Sequence, residues 1–385
     1  MIGARPRVLH VFGELDRGGA ERRTADLVRR LAGEFEFEFC LLLNRGAALE
    51  GELESEGYRV HHVPLGLGFD YRFRGLLASR KYTIVHSHLY DADGYALRLS
   101  HRAGVATRIA HFRGAAVEEP ASLLRRARRS ILRRWIDSHA THILASGESV
   151  MAAVWGDFWR RDPRCTVVYS GIAPERYASS PGERAAVRAA LGIDRDSPVV
   201  IQVGRLDPVK NQFAAIDIHS GILQLQPRTR LVLVGDGEAD YEQALRQRIA
   251  ALGLQDSVVL TGARTDVARL LSAANLMLLP SLREALPGVV LQASAAGLPV
   301  VASALPGVGE IARHLPNVIA CSLQAGAGHW AQLSAGLLRG GPSGAIAARF
   351  RASPFVLDNA VASMRRIYAR APLATPTERV VLTTS

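Results

Sequence analysis

The sequence predicts two α/β domains, each a doubly wound parallel sheet. Three observations carry this. The chain has 385 residues, more than one hydrophobic core usually supports. Short runs rich in Val, Ile and Leu alternate with helical patterns. The alternation stops at a stretch rich in Pro, Gly and Ser and then begins again.

The first series comprises Val8 to Phe12, Phe37 to Leu43, Ile84 to His86, Arg108 to His111, Ile143 to Ala145 and Thr166 to Tyr169. Gly171 to Arg184, with Pro174 and Pro181, read as an interdomain connection followed by a polar helix. The second series runs through Val199 to Val203, Leu231 to Val234, Ser257 to Leu260, Leu276 to Leu279 and Pro299 to Ala302, and fades after Ile319. Val356, Ala360, Met364 and Ile367 fall at helical spacing, so Phe355 to Tyr368 predict a closing helix. The expected domains are residues 1–180, residues 181–352, and a C-terminal segment 353–385 whose helix packs back toward the N-terminal domain before a mobile tail. Ligands of such sheets bind beyond the carboxyl ends of strands, so the two domains are expected to face each other across a cleft lined by those loops.

Composition narrows the partner without naming it. A net charge of +11 favours something anionic: nucleic acid, an acidic membrane or a phosphorylated substrate. Cys40, Cys165 and Cys321 lack metal-ligand spacing, which argues for free thiols in a reducing compartment and against structural zinc. No uncharged apolar run is long enough to span a bilayer, and Met1 to Arg7 lead straight into a strand, so a cytoplasmic location is expected.

Several loops carry chemistry. After the first strand, Gly18 and Gly19 open an amphipathic helix; they either let backbone approach an anion or merely allow a tight turn with positive φ. Gly204-Arg205-Leu206-Asp207-Pro208-Val209-Lys210 follow the first strand of the second series. They place two cations where a guanidinium fork and a compact ammonium suit a diphosphate, although solvated surface cations have the same pattern. In Pro280 to Ala293 a carboxylate, Glu284, precedes a helix start at Pro287, whose first N–H groups form an anion site. Asp91 and Asp93 have metal-type spacing, but their place at a helix start favours capping. Ala121 to Trp135 hold six arginines and no acid. On a helical wheel Leu124, Ala127, Ile131 and Trp135 share one side, which fits either an anionic membrane surface or a packed helix with a solvated face.

Together these motifs resemble the retaining glycosyltransferases of family 4, which have the GT-B fold of two Rossmann-like domains. The matches are the Gly18-Gly19 loop, Gly204-Arg205-Leu206 with Lys210, Val234-Gly235-Asp236-Gly237, Gly262 with Asp266, and Pro280 through Ala293, continuing in family order to Glu310. The resemblance implies that a sugar passes from a nucleoside-diphosphate sugar to a glycan or lipid-linked acceptor, in cell-surface polysaccharide biosynthesis, without metal or other cofactor. It implies His111 and Glu284 as catalytic residues, at the anomeric centre and the sugar hydroxyls. Arg205, Lys210, Gly18, Gly19, Ala285 and Leu286 would hold the diphosphate, and Gln292, Arg264 and Gly235 the nucleotide. The basic helix would attach the protein peripherally to the inner membrane face or meet an acceptor pyrophosphate.

Two residues depart from the pattern: Gln292 replaces the second glutamate and Ala285 replaces a glycine. Gln292 can still accept a ribose hydroxyl, without charge, and Ala285 is tolerable if its φ stays negative. These departures leave open a catalytically weak sugar-nucleotide-binding protein of the same fold. A nucleic-acid partner is not expected, since the arginines gather in one helix with neither interleaved aromatics nor a recognition motif.

Overall fold

The computed structural model describes residues 5–15, 18–43, 48–114, 122–178, 180–338 and 340–370. They form two compact units. The first comprises Met1–Ser146, Val150–Val168 and Ala360–Ser385, and the second comprises Gly147–Ser149 and Tyr169–Asn359.

The first unit contains strands β1 (Arg7–Phe12), β2 (Glu36–Leu41), β3 (Arg59–His62), β4 (Ile84–Ser87), β5 (Thr107–Phe112), β6 (His142–Ala145) and β7 (Cys165–Val167). The second contains β8 (Val199–Val203), β9 (Arg230–Val234), β10 (Val258–Leu260), β11 (Leu276–Leu279), β12 (Val300–Ser303) and β13 (Val318–Cys321). All named pairings are parallel, in the orders β3-β2-β1-β4-β5-β6-β7 and β10-β9-β8-β11-β12-β13. Both sheets reverse direction beside their first strand, so the switch points lie between β1 and β4 and between β8 and β11.

The apolar runs are continuous because both faces of each sheet are covered. In the second unit Val199, Ile201, Met277 and Leu279 enter one core, while Val200, Leu276 and Leu278 enter the core on the opposite face. Each such side chain contributes roughly 1.5–3 kcal/mol on burial. The sequence reading missed β3, whose Arg-Val-His-His is a half-exposed edge paired only to β2. It lacks the apolar run that betrays an interior strand. It also missed the length of β13, which reaches Cys321.

Local details differ from expectation in three places. Pro287 is the residue before the helix Gly288–Ala295 rather than its first member. Asp93 does not cap the helix Asp93–Arg102; its buried carboxylate accepts the Leu89 N–H at 2.7 Å, while Asp91 pairs with Arg129 at 2.8 Å. The basic helix spans Leu123–His139 and is capped by Ser122, whose Oγ accepts the Arg125 N–H. Its expected apolar stripe divides. Trp135 stacks on Tyr95 and lies under Arg98, and Gly94 admits the crossing, since a Cβ there would sit 2.0 Å from the Leu132 carbonyl oxygen. Leu123, Leu124 and Ile131 remain exposed. Ala121 and the tail from residue 371 lie outside the described residues.

Candidate functional site

The second unit brings its informative loops together at the β8–β11 switch point. After β8 the chain turns at Asp207, whose carboxylate accepts the N–H groups of Val209 at 2.8 Å and Lys210 at 3.1 Å. Gln202 Nε2 donates to the Lys210 carbonyl at 2.7 Å, and Asn211, at φ 55°, donates to the Pro280 carbonyl at 3.0 Å. Leu282 N–H returns to Val209 O at 2.8 Å. These bonds tie the loop after β8 to the loop after β11 and bring Lys210 Nζ to 2.7 Å from Glu284 Oε1. The Glu284 side chain is 11% exposed and that of Lys210 25%, so the pair is shielded yet reachable.

Arg205 lies on the same loop with its side chain exposed, and among the described residues it makes no ion pair. Its carbonyl accepts Gln212 Nε2 at 2.8 Å, which fixes the backbone. Ala285 keeps negative φ, since the described non-glycine residues with positive φ are Lys81, Tyr90 and Asn211. The Ala285-Leu286 backbone presses on the helix Pro306–Ala312: a Cβ on Gly307 would stand 1.6 Å from the Ala285 oxygen. Gly307 is thus a shaping residue that sequence reasoning missed; a glycine one residue into a helix after a strand was its available signal.

Gly235, at φ 145°, is required by the protein itself, because a Cβ would meet the Gly204 oxygen at 2.0 Å. Gly237 lies equally close to the Leu206 oxygen. These glycines let the loops after β8, β9 and β10 pack backbone to backbone, with Leu206 N–H on Asp236 O at 2.7 Å and Gly235 N–H on Gly262 O at 3.0 Å. Arg264 is held bidentately by Asp266, with both bonds at 2.8 Å. Gln292 is half-buried in the helix Gly288–Ala295, and its side chain makes no hydrogen bond among the described residues.

In the first unit, Gly18 precedes the helix Gly19–Leu31 with φ −62°, and neither Gly18 nor Gly19 uses positive φ. The tight-turn explanation for this pair therefore falls. Glu21 folds back over Gly18, where a Cβ would come within 2.2 Å of Oε2. Asp16 and Arg17 lie outside the described residues.

His111 is not a lone histidine. It is buried near the end of β5, and its ring lies 9° from parallel with that of His86, edge to edge, with His86 Nε2 2.9 Å from His111 Nδ1. His10 on β1 and His88 just after β4 complete the cluster, also buried. Burial, reinforced by the Arg113 charge, lowers the His10 pKa to about 3 and holds His111 well below the ordinary imidazole range. His86 and His88 are lowered likewise by burial and then by neighbouring histidines. All four rings are neutral at pH 7. The ring nitrogens of His10, His86 and His88 lie within 4.8 Å of one another, the one group among the described residues with metal-ligand proximity.

Fold and site together define a two-domain α/β protein whose charged and glycine-rich loops gather at strand ends. Residues 183–325 match the family described as glycosyl transferases group 1, and residues 18–171 match the glycosyl transferase 4-like domain. Over 319 residues the chain is 30% identical to the D-inositol 3-phosphate glycosyltransferase of Mycobacterium avium (strain 104), covering 77% of this chain and 72% of that protein. It is 26% identical over 315 residues to the capsular polysaccharide biosynthesis glycosyltransferase CapH of Staphylococcus aureus, covering 81% of this chain and 85% of CapH. Its fold is similar to that of Anabaena Alr3699/HepE in complex with UDP, with TM-score 0.80 at 20% identity over 95% of this chain and all of that one. The chain belongs to the group 1 glycosyltransferases and has their GT-B fold. It is a glycosyltransferase with relatives in polysaccharide biosynthesis.

Proposed function

We propose that the protein transfers a sugar, with retention and without a metal or other cofactor, from a nucleoside-diphosphate sugar to a glycan or lipid-linked acceptor in cell-surface polysaccharide assembly. The observation that carries this reading is the Lys210–Glu284 pair at the switch point, 2.7 Å apart beside the exposed Arg205. With no donor bound, the ammonium and carboxylate neutralise each other. A diphosphate offers Lys210 and Arg205 more negative charge than Glu284 alone, so its arrival frees the Glu284 carboxylate to accept hydrogen bonds from sugar hydroxyls. N–H groups around Ala285 and Leu286, before the helix Gly288–Ala295, add the positive end of the helix dipole. As the diphosphate leaves it carries away the bonding electron pair, and these fixed positive groups stabilise that charge. Gly18 and Gly19 receive phosphate at their helix start, and His111 supplies a neutral ring at the anomeric centre. Gln292, Gly235 and Arg264 border the nucleotide; Arg264 engages it by exchanging its Asp266 partner.

On the acceptor side, the exposed Leu123, Leu124 and Ile131 sit among six arginines on Leu123–His139. This face suits an anionic membrane surface and a peripheral cytoplasmic location. Among the described residues no helix is long and apolar enough to cross a membrane. UDP is bound by the structurally similar HepE, and capsular polysaccharide is the setting of CapH. Both support the donor class and the pathway class.

The deciding measurement is nucleoside-diphosphate release over a panel of donors with chelator present, followed by the anomeric configuration of the product. Turnover that chelator abolishes, or an inverted product, overturns the corresponding part of the reading. Tight nucleotide binding with no turnover on any acceptor favours the weak binding protein that Gln292 would make.

A further inference from the structure

The histidine cluster in the first unit is joined end to end. His88 Nε2 lies 3.0 Å from His10 Nδ1, His10 Nε2 lies 3.4 Å from Tyr368 Oη, Tyr368 Oη lies 2.7 Å from His86 Nδ1, and His86 Nε2 lies 2.9 Å from His111 Nδ1. The two ends of this chain, His88 Nδ1 and His111 Nε2, are buried with no partner among the described residues. β1, β4 and β5 are neighbours in the sheet; the register sets His10 opposite His86 and Ile109 opposite His86, so His111 lies two residues further along on the same face. Tyr368, fully buried, arrives from the helix Leu357–Ala369, 282 residues beyond His86.

We propose that His10, His86, His88 and Tyr368 are positioning residues that act as one hydrogen-bonded relay and lock His111 into a single neutral tautomer. Each link holds one proton, and a neutral imidazole has one donor and one acceptor nitrogen. To use its own proton as well, the Tyr368 hydroxyl must accept from one histidine and donate to the other. Only two arrangements satisfy every link and leave that proton partnered. In one, all four rings carry the proton on Nε2, and His111 presents an N–H. In the other, all four carry it on Nδ1, and His111 presents a lone pair. A mixed set leaves a buried donor unused or sets two lone pairs face to face, which burial makes costly. The rings of His10 and His88 lie 12° from parallel, with their facing nitrogens 3.0 Å apart, and those of His86 and His111 lie 9° from parallel, with theirs 2.9 Å apart, so each pair meets edge to edge at hydrogen-bond distance. That favours shared protons over a shared metal ion. Whether the free Nε2 of His111 carries a proton or a lone pair is thus coupled to the direction of the Tyr368 hydroxyl, on the last described helix.

The link to catalysis rests on the role proposed for His111, whereas the relay itself does not, and the test separates them. Nitrogen-15 spectra of the full-length protein, labelled at histidine, report the tautomer of each ring. Four rings in the same tautomer is the expected result, and a mixed set overturns the relay. Tyr368→Phe should turn His111 into a mixture of tautomers and lower kcat about tenfold with donor KM unchanged. An unchanged His111 spectrum in that variant overturns the relay, and an altered spectrum with full kcat overturns the positioning role. His86→Gln, which keeps one donor and one acceptor, should retain most of the activity that His86→Ala loses; equal loss in both counts against positioning. Full turnover in His111→Asn would sink the functional role of His111 while leaving the spectral test intact. Zinc chloride alone serves as the remaining probe: zinc binding that disappears in His10→Asn would assign a metal site and overturn the relay.

Discussion

The two units use one strand order and fill its switch point in opposite ways. In the first, the ends of β1, β4 and β5 bring together four buried neutral histidines whose contacts run through side chains. In the second, the loops after β8, β9 and β10 meet backbone to backbone through Gly204, Gly235 and Gly237, and the charge is carried by Lys210 and Glu284. Topology dictates where a ligand can sit, and the residues following each strand dictate what chemistry it meets. One unit gathers neutral rings at its switch point and the other an ion pair.

Acid should break this contrast most strongly. The four clustered histidines, His10, His86, His88 and His111, have folded pKa values below the ordinary 6.5, largely through burial, so the stability they confer is present above 6.5 and lost as pH falls below it. Each unprotonated histidine costs up to about 1.4 kcal/mol per pH unit in that window. Asp93 offsets part of this, since burial raises its pKa to about 7 and its native form takes up a proton over the same range. Among the described residues of the second unit the comparable group is His219, lowered by burial to about 4. Hydrogen exchange at pH 5 should show amides of β1, β4 and β5 losing protection before those of β8 and β11; simultaneous loss would refute the asymmetry.

Lys210→Ala should lower turnover about a hundredfold, or about 3 kcal/mol in barrier, and Glu284→Gln should lower turnover more than it weakens nucleotide binding. Steady-state kinetics with near-normal rates in both variants would remove the charged pair from the site. Gly307→Ala drives a methyl into the Ala285 carbonyl and should destabilise the second unit by about 3 kcal/mol in urea unfolding, with loss of donor binding. A wild-type midpoint would show that the loop yields without cost. Gln292→Glu has the smallest expected effect: donor Kd should fall about fivefold as a charged acceptor replaces a neutral one. Calorimetry showing equal affinities would mean that the glutamine is neutral to binding.

Much of this architecture is legible in the sequence. Interior strands announce themselves because parallel sheets bury both faces, and the motif order from Gly18 to Ala293 pointed to the family that the comparisons show. Edge strand β3 did not, since a half-exposed strand needs few apolar residues. At the basic helix, periodicity found the stripe but not its division into a packed Trp135 and exposed leucines, because a helical wheel contains no neighbour.

The sequence by itself determined two α/β domains and the positions of Arg205, Lys210 and Glu284 at strand ends. Those properties depend on local periodicity and on residue type, which are written in consecutive positions. Only the tertiary structure decided that Lys210 and Glu284 meet across 74 residues, that Gly307 makes room for Ala285, and that His111 joins three other histidines and Tyr368. Each of these is a contact between segments distant in the chain, set by sheet order and helix packing. No local pattern carries that information, because the partner's identity is fixed by the fold rather than by the neighbours in sequence.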